Sequence, residues 1–317
     1  MLKMYLHQQN AGNTAAYWEE QWGELSPAAY GRLAHTYCEN SPQWKVIMDR
    51  VRRGRLFIDG GCGHGYWIKY LHDRGYPAVG VDFAEKTLRQ IREIDRNLDI
   101  RFGDVRKLPF KDGEVHVYFS GGVVEHFEEG PAEALREARR VIAQDGWFLC
   151  SVPDDSPLRR LLFRGQEAAT WRRTTQMCLE PCAHDVNFFQ YAFTDSEFRP
   201  LLEASGFEVL EAFGLSVIWG LTEIPGFLSF RNRASTLLRG LGRSVVTDPD
   251  GALNGMPERN TSSNSSPEPP THVLASLKDL PKRLFVREDR SVPVLGRAVE
   301  LAASLASNMR LYVARPR

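Results

Sequence analysis

Little in this chain places it in a specialised physical class. Its 40 basic and 40 acidic side chains cancel, so the formal net charge is zero. A zero balance removes bulk attraction to nucleic acid or to an anionic membrane as an organising principle. Five cysteines, at positions 38, 62, 150, 178 and 182, are too few to staple a chain of 317 residues as a disulfide scaffold. No apolar run approaches the ~20 residues of a membrane span. The opening MLKMYLHQQNAG lacks the apolar core of a signal peptide. Together these absences lead us to expect a cytoplasmic, reducing setting. The length suits one large domain with insertions, or two small ones.

What the chain does have is a concentrated glycine turn. Leu56-Phe57-Ile58 is a short apolar run fit for a buried strand, ended by Asp59. Gly60, Gly61, Gly63 and Gly65 follow, with Cys62 and His64 between them, and Trp67 to Leu71 reads as a helix start. Strand, glycine turn and helix in that order bring backbone against a nucleotide-like ligand. Glycine serves there because the turn needs unusual dihedrals and any Cβ would block the approach. The dinucleotide fingerprint G-x-G-x-x-G fails, because counting from Gly61 its third glycine falls on Tyr66.

Two more strands end in acids. Pro77 to Val81 leads to Asp82, 17 residues beyond Gly65. A carboxylate there can take both hydroxyls of a ribose, because adjacent parallel strand ends open into one crevice. Capping of the helix that starts near Ala84 is the alternative role for Asp82. Phe83 is placed to pack on a purine. Asp99 to Phe102 then leads to Gly103-Asp104-Val105. A fourth strand, Val115 to Phe119, runs into Ser120-Gly121-Gly122-Val123-Val124-Glu125-His126-Phe127.

Asp59-x-Gly61-x-Gly63-x-Gly65, the acids Asp82 and Asp104, the Leu108-Pro109-Phe110 turn and the Ser120 to His126 segment resemble the class I S-adenosylmethionine-dependent methyltransferases, in their small-molecule, type 11-like branch. The resemblance covers about Arg55 to Phe213 plus the last strand. It implies an α/β fold: a Rossmann-like αβα sandwich whose seven-stranded, mostly parallel sheet has an antiparallel last strand. It implies S-adenosylmethionine as cofactor, with Asp59, Gly61, Cys62, Gly63 and Gly65 at the methionine part and Asp82 at the ribose. Phe83, Asp104 and Val105 fall to the adenine, and Gly121 to the methionine part through its backbone. A nicotinamide enzyme, disfavoured by Tyr66 and Asp104, and a catalytically silent module on the same fold are the rival readings.

The acceptor side is less defined. His126 and Glu125 are the catalytic candidates. Histidine titrates near neutrality, which suits a general base for an acceptor that must lose a proton. Both residues could instead cap the turn or pack beneath the site, with catalysis resting on proximity and orientation. The expected reaction is methyl transfer, at oxygen, to a small-molecule, glycan-precursor or lipid-linked acceptor, with no nucleic-acid partner. No metal is expected: Cys178-x3-Cys182-x-His184-Asp185 matches no common structural zinc spacing.

The remaining segments divide as follows. Residues 1–54 form an N-terminal helical lid, in which Tyr17 and Trp18 are site candidates and Trp18 and Trp22 share a helix face. Residues 55–220 are the cofactor-binding core, with 154–190 an acceptor-cap insertion. Residues 221–308 are a late insertion, helical, with a Ser/Asn/Pro-rich disordered loop at about 247–271. Residues 309–317 give the last core strand. The Leu/Phe/Arg-rich tract 221–246 reads as helices capping the sheet or as a peripheral membrane contact.

Overall fold

The computed structural model describes residues 1–6, 14–163, 177–178, 187–222 and 293–317. In chain order the strands are β1 (Leu2–Leu6), β2 (Phe57–Gly60), β3 (Ala78–Asp82), β4 (Asp99–Phe102), β5 (Val115–Gly121), β6 (Ile142–Pro153), β7 (Met177–Cys178), β8 (Asn187–Ala192), β9 (Phe207–Leu215) and β10 (Met309–Pro316). The helices are α1 (Ala15–Trp22), α2 (Tyr30–Asn40), α3 (Trp44–Met48), α4 (Tyr66–His72), α5 (Glu85–Ile94), α6 (Ala132–Val141), α7 (Pro157–Phe163), α8 (Asp195–Ala204), α9 (Val217–Thr222) and, here labelled α10, Pro293–Ala306.

Seven strands form the main sheet in the order β4-β3-β2-β5-β6-β10-β9. Pairing is parallel from β4 to β6, and β10 runs antiparallel to both of its neighbours. This is the expected sandwich. The central strands are covered on both faces, so they read as continuous apolar runs and their side chains alternate between two cores. Ile58, Tyr118, Phe148, Cys150, Tyr312 and Ala314 join the core under α6 and α8. Phe57, Val117, Phe119, Leu149, Leu311 and Val313 join the core under α2, α4 and α5. In α6, Ala134, Leu135, Ala138 and Val141 are buried on one face, as helical spacing requires. Burying its leucine and valine contributes roughly 1.5–3 kcal/mol each.

The chain lays down β2, β3 and β4 outward in one direction, then places β5 on the other side of β2. The reversal opens a crevice at the carboxyl ends of β2 and β5, where ligands of open α/β sheets bind.

One local reading is corrected. The N-terminal segment opens with a strand, β1, before its helices. Together with β7 and β8 it forms a second, antiparallel sheet of order β7-β1-β8. Strand β6 carries an irregularity near its start: Val115 pairs with Ile142 and pairing resumes at Val117 and Trp147, so the turn-like Gln144-Asp145-Gly146 is taken up within the strand. The capping box at Thr194 is present, with Glu197 Oε2 accepting the Thr194 N–H at 3.0 Å. Residues 223–292, including the tract 247–271, and Cys182, His184 and Asp185 lie outside the described residues. Among the described residues, no helix is long and apolar enough to cross a membrane.

Candidate functional site

The glycine turn is built from the next strand inward. The N–H groups of Gly61 and Cys62 donate to Val81 O at 2.8 and 3.2 Å, and Gly65 N–H donates to Cys62 O. Gly63 N–H donates to Asp82 Oδ2 at 2.8 Å, while Asp82 Oδ1 accepts Ala84 N–H at 2.9 Å. Asp82 therefore caps the following segment and also ties the turn to β3. Both roles consume a lone pair on each oxygen and leave others to a ligand. Because these N–H groups are committed inward, the turn meets its surroundings through bare Cα positions. Gly61 and Gly63 have φ of +79° and +48°. A Cβ on Gly61 would lie 2.4 Å from Val123, and one on Gly63 2.7 Å from the Trp22 indole.

Asp59 lies beneath this turn, 4% exposed, and no hydrogen bond reaches its carboxyl among the described residues. Burial, with the neighbouring Asp82 charge second, pushes its pKa up to about 8. Burial raises Asp82 too, against the N–H groups that favour its ionised form. Cys62 is buried and its thiol is pushed well above the ordinary range by burial, so its side chain is packing, not a nucleophile. Phe83, just past Asp82, is 37% exposed. At the end of β4, Val105 is buried. Asp104 is half-buried and held by its neighbour: Oδ1 accepts Arg106 N–H at 2.8 Å and Oδ2 accepts Arg106 Nη2 at 2.7 Å. Burial raises the Asp104 pKa, but the Arg106 bonds outweigh it and the net shift is downward.

Beyond β5, Gly121 is exposed at the strand end, and residues Val124–His126 form a single 3₁₀ turn. His126 Nδ1 lies 2.8 Å from Phe189 O. A carbonyl only accepts, so Nδ1 carries the ring proton and Nε2 the lone pair. The ring is edge-on to Trp18 and to Phe189, both at 4.9 Å. Burial lowers its pKa to about 4, well below the near-neutral value expected from sequence. Glu125 is buried, its Oε2 unbonded among the described residues, and burial pushes its pKa up to about 8. Its Oε1 stands 3.9 Å from His126 Nε2. Between those two pKa values both groups are uncharged, so the contact is no ion pair near neutrality.

Asp59 and the glycine turn, Asp82 and Phe83, Asp104 and Val105, and Gly121 with Glu125 and His126 stand at or just after the carboxyl ends of β2, β3, β4 and β5 respectively. Four further residues have no site role in the reading from sequence. Val123 and Trp22 cover the two glycines. His64, inside the turn, has Nε2 buried without a hydrogen-bond partner among the described residues, between the rings of Trp22 at 5.2 Å and Tyr66 at 5.3 Å. The fourth, Phe189, comes from β8, and only the second sheet brings it here. Among the described residues, no group of three or more His, Cys, Asp and Glu side chains could hold a metal ion.

Residues 58–150 match the family described as "Methyltransferase domain". The chain is 29% identical over 231 residues to a probable S-adenosylmethionine-dependent methyltransferase of Mycolicibacterium smegmatis, covering 73% of this chain and 75% of that one. The chain is an S-adenosylmethionine-dependent methyltransferase, similar to those of class I. A malonyl-[acyl-carrier protein] O-methyltransferase of Geobacter sulfurreducens is 27% identical over 215 residues, 63% of this chain and 76% of that one. The crystal structure of an S-adenosylmethionine-dependent methyltransferase from Mesorhizobium loti superposes with a TM-score of 0.47 at 14% identity, covering 88% of this chain and 99% of that one.

The crevice of this methyltransferase fits its cofactor. A buried carboxyl without a hydrogen bond is what an ammonium or sulfonium group would satisfy. Next to it, two glycines in left-handed conformations let Val123 and Trp22 close onto the turn where any other residue would place a Cβ.

Proposed function

We propose that this methyltransferase moves the methyl group to an oxygen atom of a small-molecule, glycan-precursor or lipid-linked acceptor. The observation that carries the proposal is the pairing of Glu125 and His126 beside the glycine turn. Bound S-adenosylmethionine supplies an electrophilic methyl group for an in-line displacement. Asp59, Gly61, Cys62, Gly63 and Gly65 would hold its methionine part, joined by the Gly121 backbone. Asp82 would take the ribose, and Phe83, Asp104 and Val105 the adenine.

The acceptor hydroxyl would sit within hydrogen-bond reach of both His126 Nε2 and Glu125 Oε1. A neutral imidazole of low basicity suffices, because the hydroxyl proton becomes strongly acidic only as the new C–O bond forms. The oxygen gains the methyl group, its proton passes to Nε2, and Glu125 stands next to the resulting imidazolium. The Geobacter relative, named as an O-methyltransferase, supports oxygen as the atom.

The test is turnover with hydroxylated and amine acceptors, with His126→Ala alongside. We expect methylated oxygen products, a loss in the variant on the order of 10²-fold, and unchanged S-adenosylhomocysteine binding. Because His126 stays neutral down to about pH 4, its protonation should leave the rate alone between pH 7 and 5. Methylation of amines only, or wild-type turnover by His126→Ala, would sink the proposal.

A further inference from the structure

Helix α5 begins without a cap of its own. Its N-cap position is Ala84, which makes no side-chain capping bond. The first turn of a helix leaves its N–H groups without partners inside the helix. A Ser, Thr, Asp or Asn at the N-cap ordinarily accepts from the second or third helical residue, and alanine has no atom for this. The acceptor comes instead from 67 positions earlier: Glu19 Oε1, on α1, accepts the Lys86 N–H at 2.9 Å. Lys86 is the second residue of α5, so Glu19 takes the bond that an N-cap side chain would take. Its negative charge also suits the positive end of the helix dipole. A second bond ties the chain after α1 to α5 one turn further on, from Leu25 N–H to Gln90 Oε1 at 3.2 Å.

The contact matters as much to α1. That helix has eight residues and none of them is buried, and a helix shorter than about 12 residues is marginal by itself in water. Its place therefore depends on what it touches. Trp22 lies against Gly63 and the His64 ring, and Trp18 stands edge-on to His126 at 4.9 Å. Glu19 reaches the other way, to the helix start just past Asp82 and Phe83, where Asp82 Oδ1 holds the Ala84 N–H at 2.9 Å. We infer that Glu19 is a positioning residue for the cofactor: by capping α5 it latches α1 over the crevice and joins the glycine turn to the Asp82–Ala84 segment. This rests on the assignment of Asp82 and Phe83 to the ribose and adenine. A cofactor that fixes residues 82–84 steadies the helix start that Glu19 caps, and so holds α1 in place. By linkage, α1 in place holds the cofactor. Trp18 and Trp22 stand on the same helix, so the latch also aligns the acceptor side with the cofactor side.

The test is hydrogen exchange of the full chain, with and without S-adenosylhomocysteine, beside a calorimetric titration with the same ligand. In the wild type the ligand should protect α1. Glu19→Ala should speed exchange over residues 84–90 even in the free protein, because the cap is gone. It should also lose the ligand-dependent protection of α1, and its affinity should fall roughly three- to tenfold, the size of a lost cap. Glu19→Gln keeps an acceptor oxygen and should stay within about twofold of the wild type. Wild-type affinity in Glu19→Ala, or α1 exchange that ignores the ligand in the wild type, would overturn the inference. A wild type that binds no S-adenosylhomocysteine would instead overturn the cofactor assignment and the latch with it. Faster exchange at the start of α5 in Glu19→Ala would then mark Glu19 as a structural cap alone.

Discussion

Two buried carboxyl groups stand at strand ends of the main sheet and meet opposite fates. Asp154, just past β6, is 1% exposed. It accepts from Arg310 Nε at 3.0 Å and Nη2 at 3.1 Å, and from the Ser307 hydroxyl. Its own carbonyl accepts Arg159 Nη1. Asp59, at the end of β2, is 4% exposed and has none of this. Burying a carboxyl costs free energy unless hydrogen bonds and countercharge offset it. At Asp154 the fold supplies both, and the residue joins β6, α10 and β10. At Asp59 neither is found among the described residues, and under the proposed function the cofactor would provide the partner. The lesson is that the completeness of a buried group's contacts separates structural acids from binding acids better than its position in the sheet.

The comparison can be broken most forcefully at Asp154. Asp154→Asn leaves the Arg310 guanidinium without its countercharge, and the expected loss is about 3–5 kcal/mol of unfolding free energy. Denaturant unfolding measures it, and S-adenosylhomocysteine affinity should not change. Asp59→Asn should do the reverse, weakening cofactor binding about 100-fold in a calorimetric titration without destabilising the free protein. Asp82→Ala removes the acceptor of the Gly63 and Ala84 N–H groups and should abolish cofactor binding. A normal affinity there would break the site assignment.

A pH series sharpens the contrast further. The Asp59 pKa is raised from 3.8 to about 8 in the fold. Below pH 4 both the folded and the unfolded chain hold the proton. Between about 4 and 8 the unfolded chain binds fewer protons than the folded one, so this residue's contribution to stability falls as pH rises. Glu125, raised from 4.5 to about 8, acts with the same sign. The melting temperature of the free protein should therefore decline between pH 5 and pH 8, and decline less in Asp59→Asn. The smallest effect belongs to an exposed pair, Lys45 with Asp49 at i,i+4. Removing it should cost no more than about 0.5 kcal/mol.

Much of this contrast is legible in the amino-acid sequence. Asp59 and Asp82 announce themselves because apolar runs end abruptly in acids. The glycines do so because four in six residues fit neither a helix nor a strand and mark a turn. Strand β10 is legible as a compact apolar run at the chain's end. Other parts are not. β1 is five residues whose partners lie some 170 to 190 positions away, and no local pattern marks them. Phe189 is one aromatic residue among many, and only the pairing of the second sheet brings its carbonyl to His126. His126 stands out by its place after the fourth strand. Its depressed pKa arises from burial against Trp18 and Phe189, one from each of two other segments, and so needs the tertiary structure.

The account's central claim is that Asp59 is uncharged in the free protein and ionises against the cofactor. Calorimetric titration with S-adenosylhomocysteine at pH 7, in two buffers of different ionisation enthalpy, tests it directly, with NADH as the control ligand. We predict tight binding with release of about one proton, no release in Asp59→Asn, and no heat from NADH. Binding with equal heats in both buffers, or binding of NADH instead, would contradict the account.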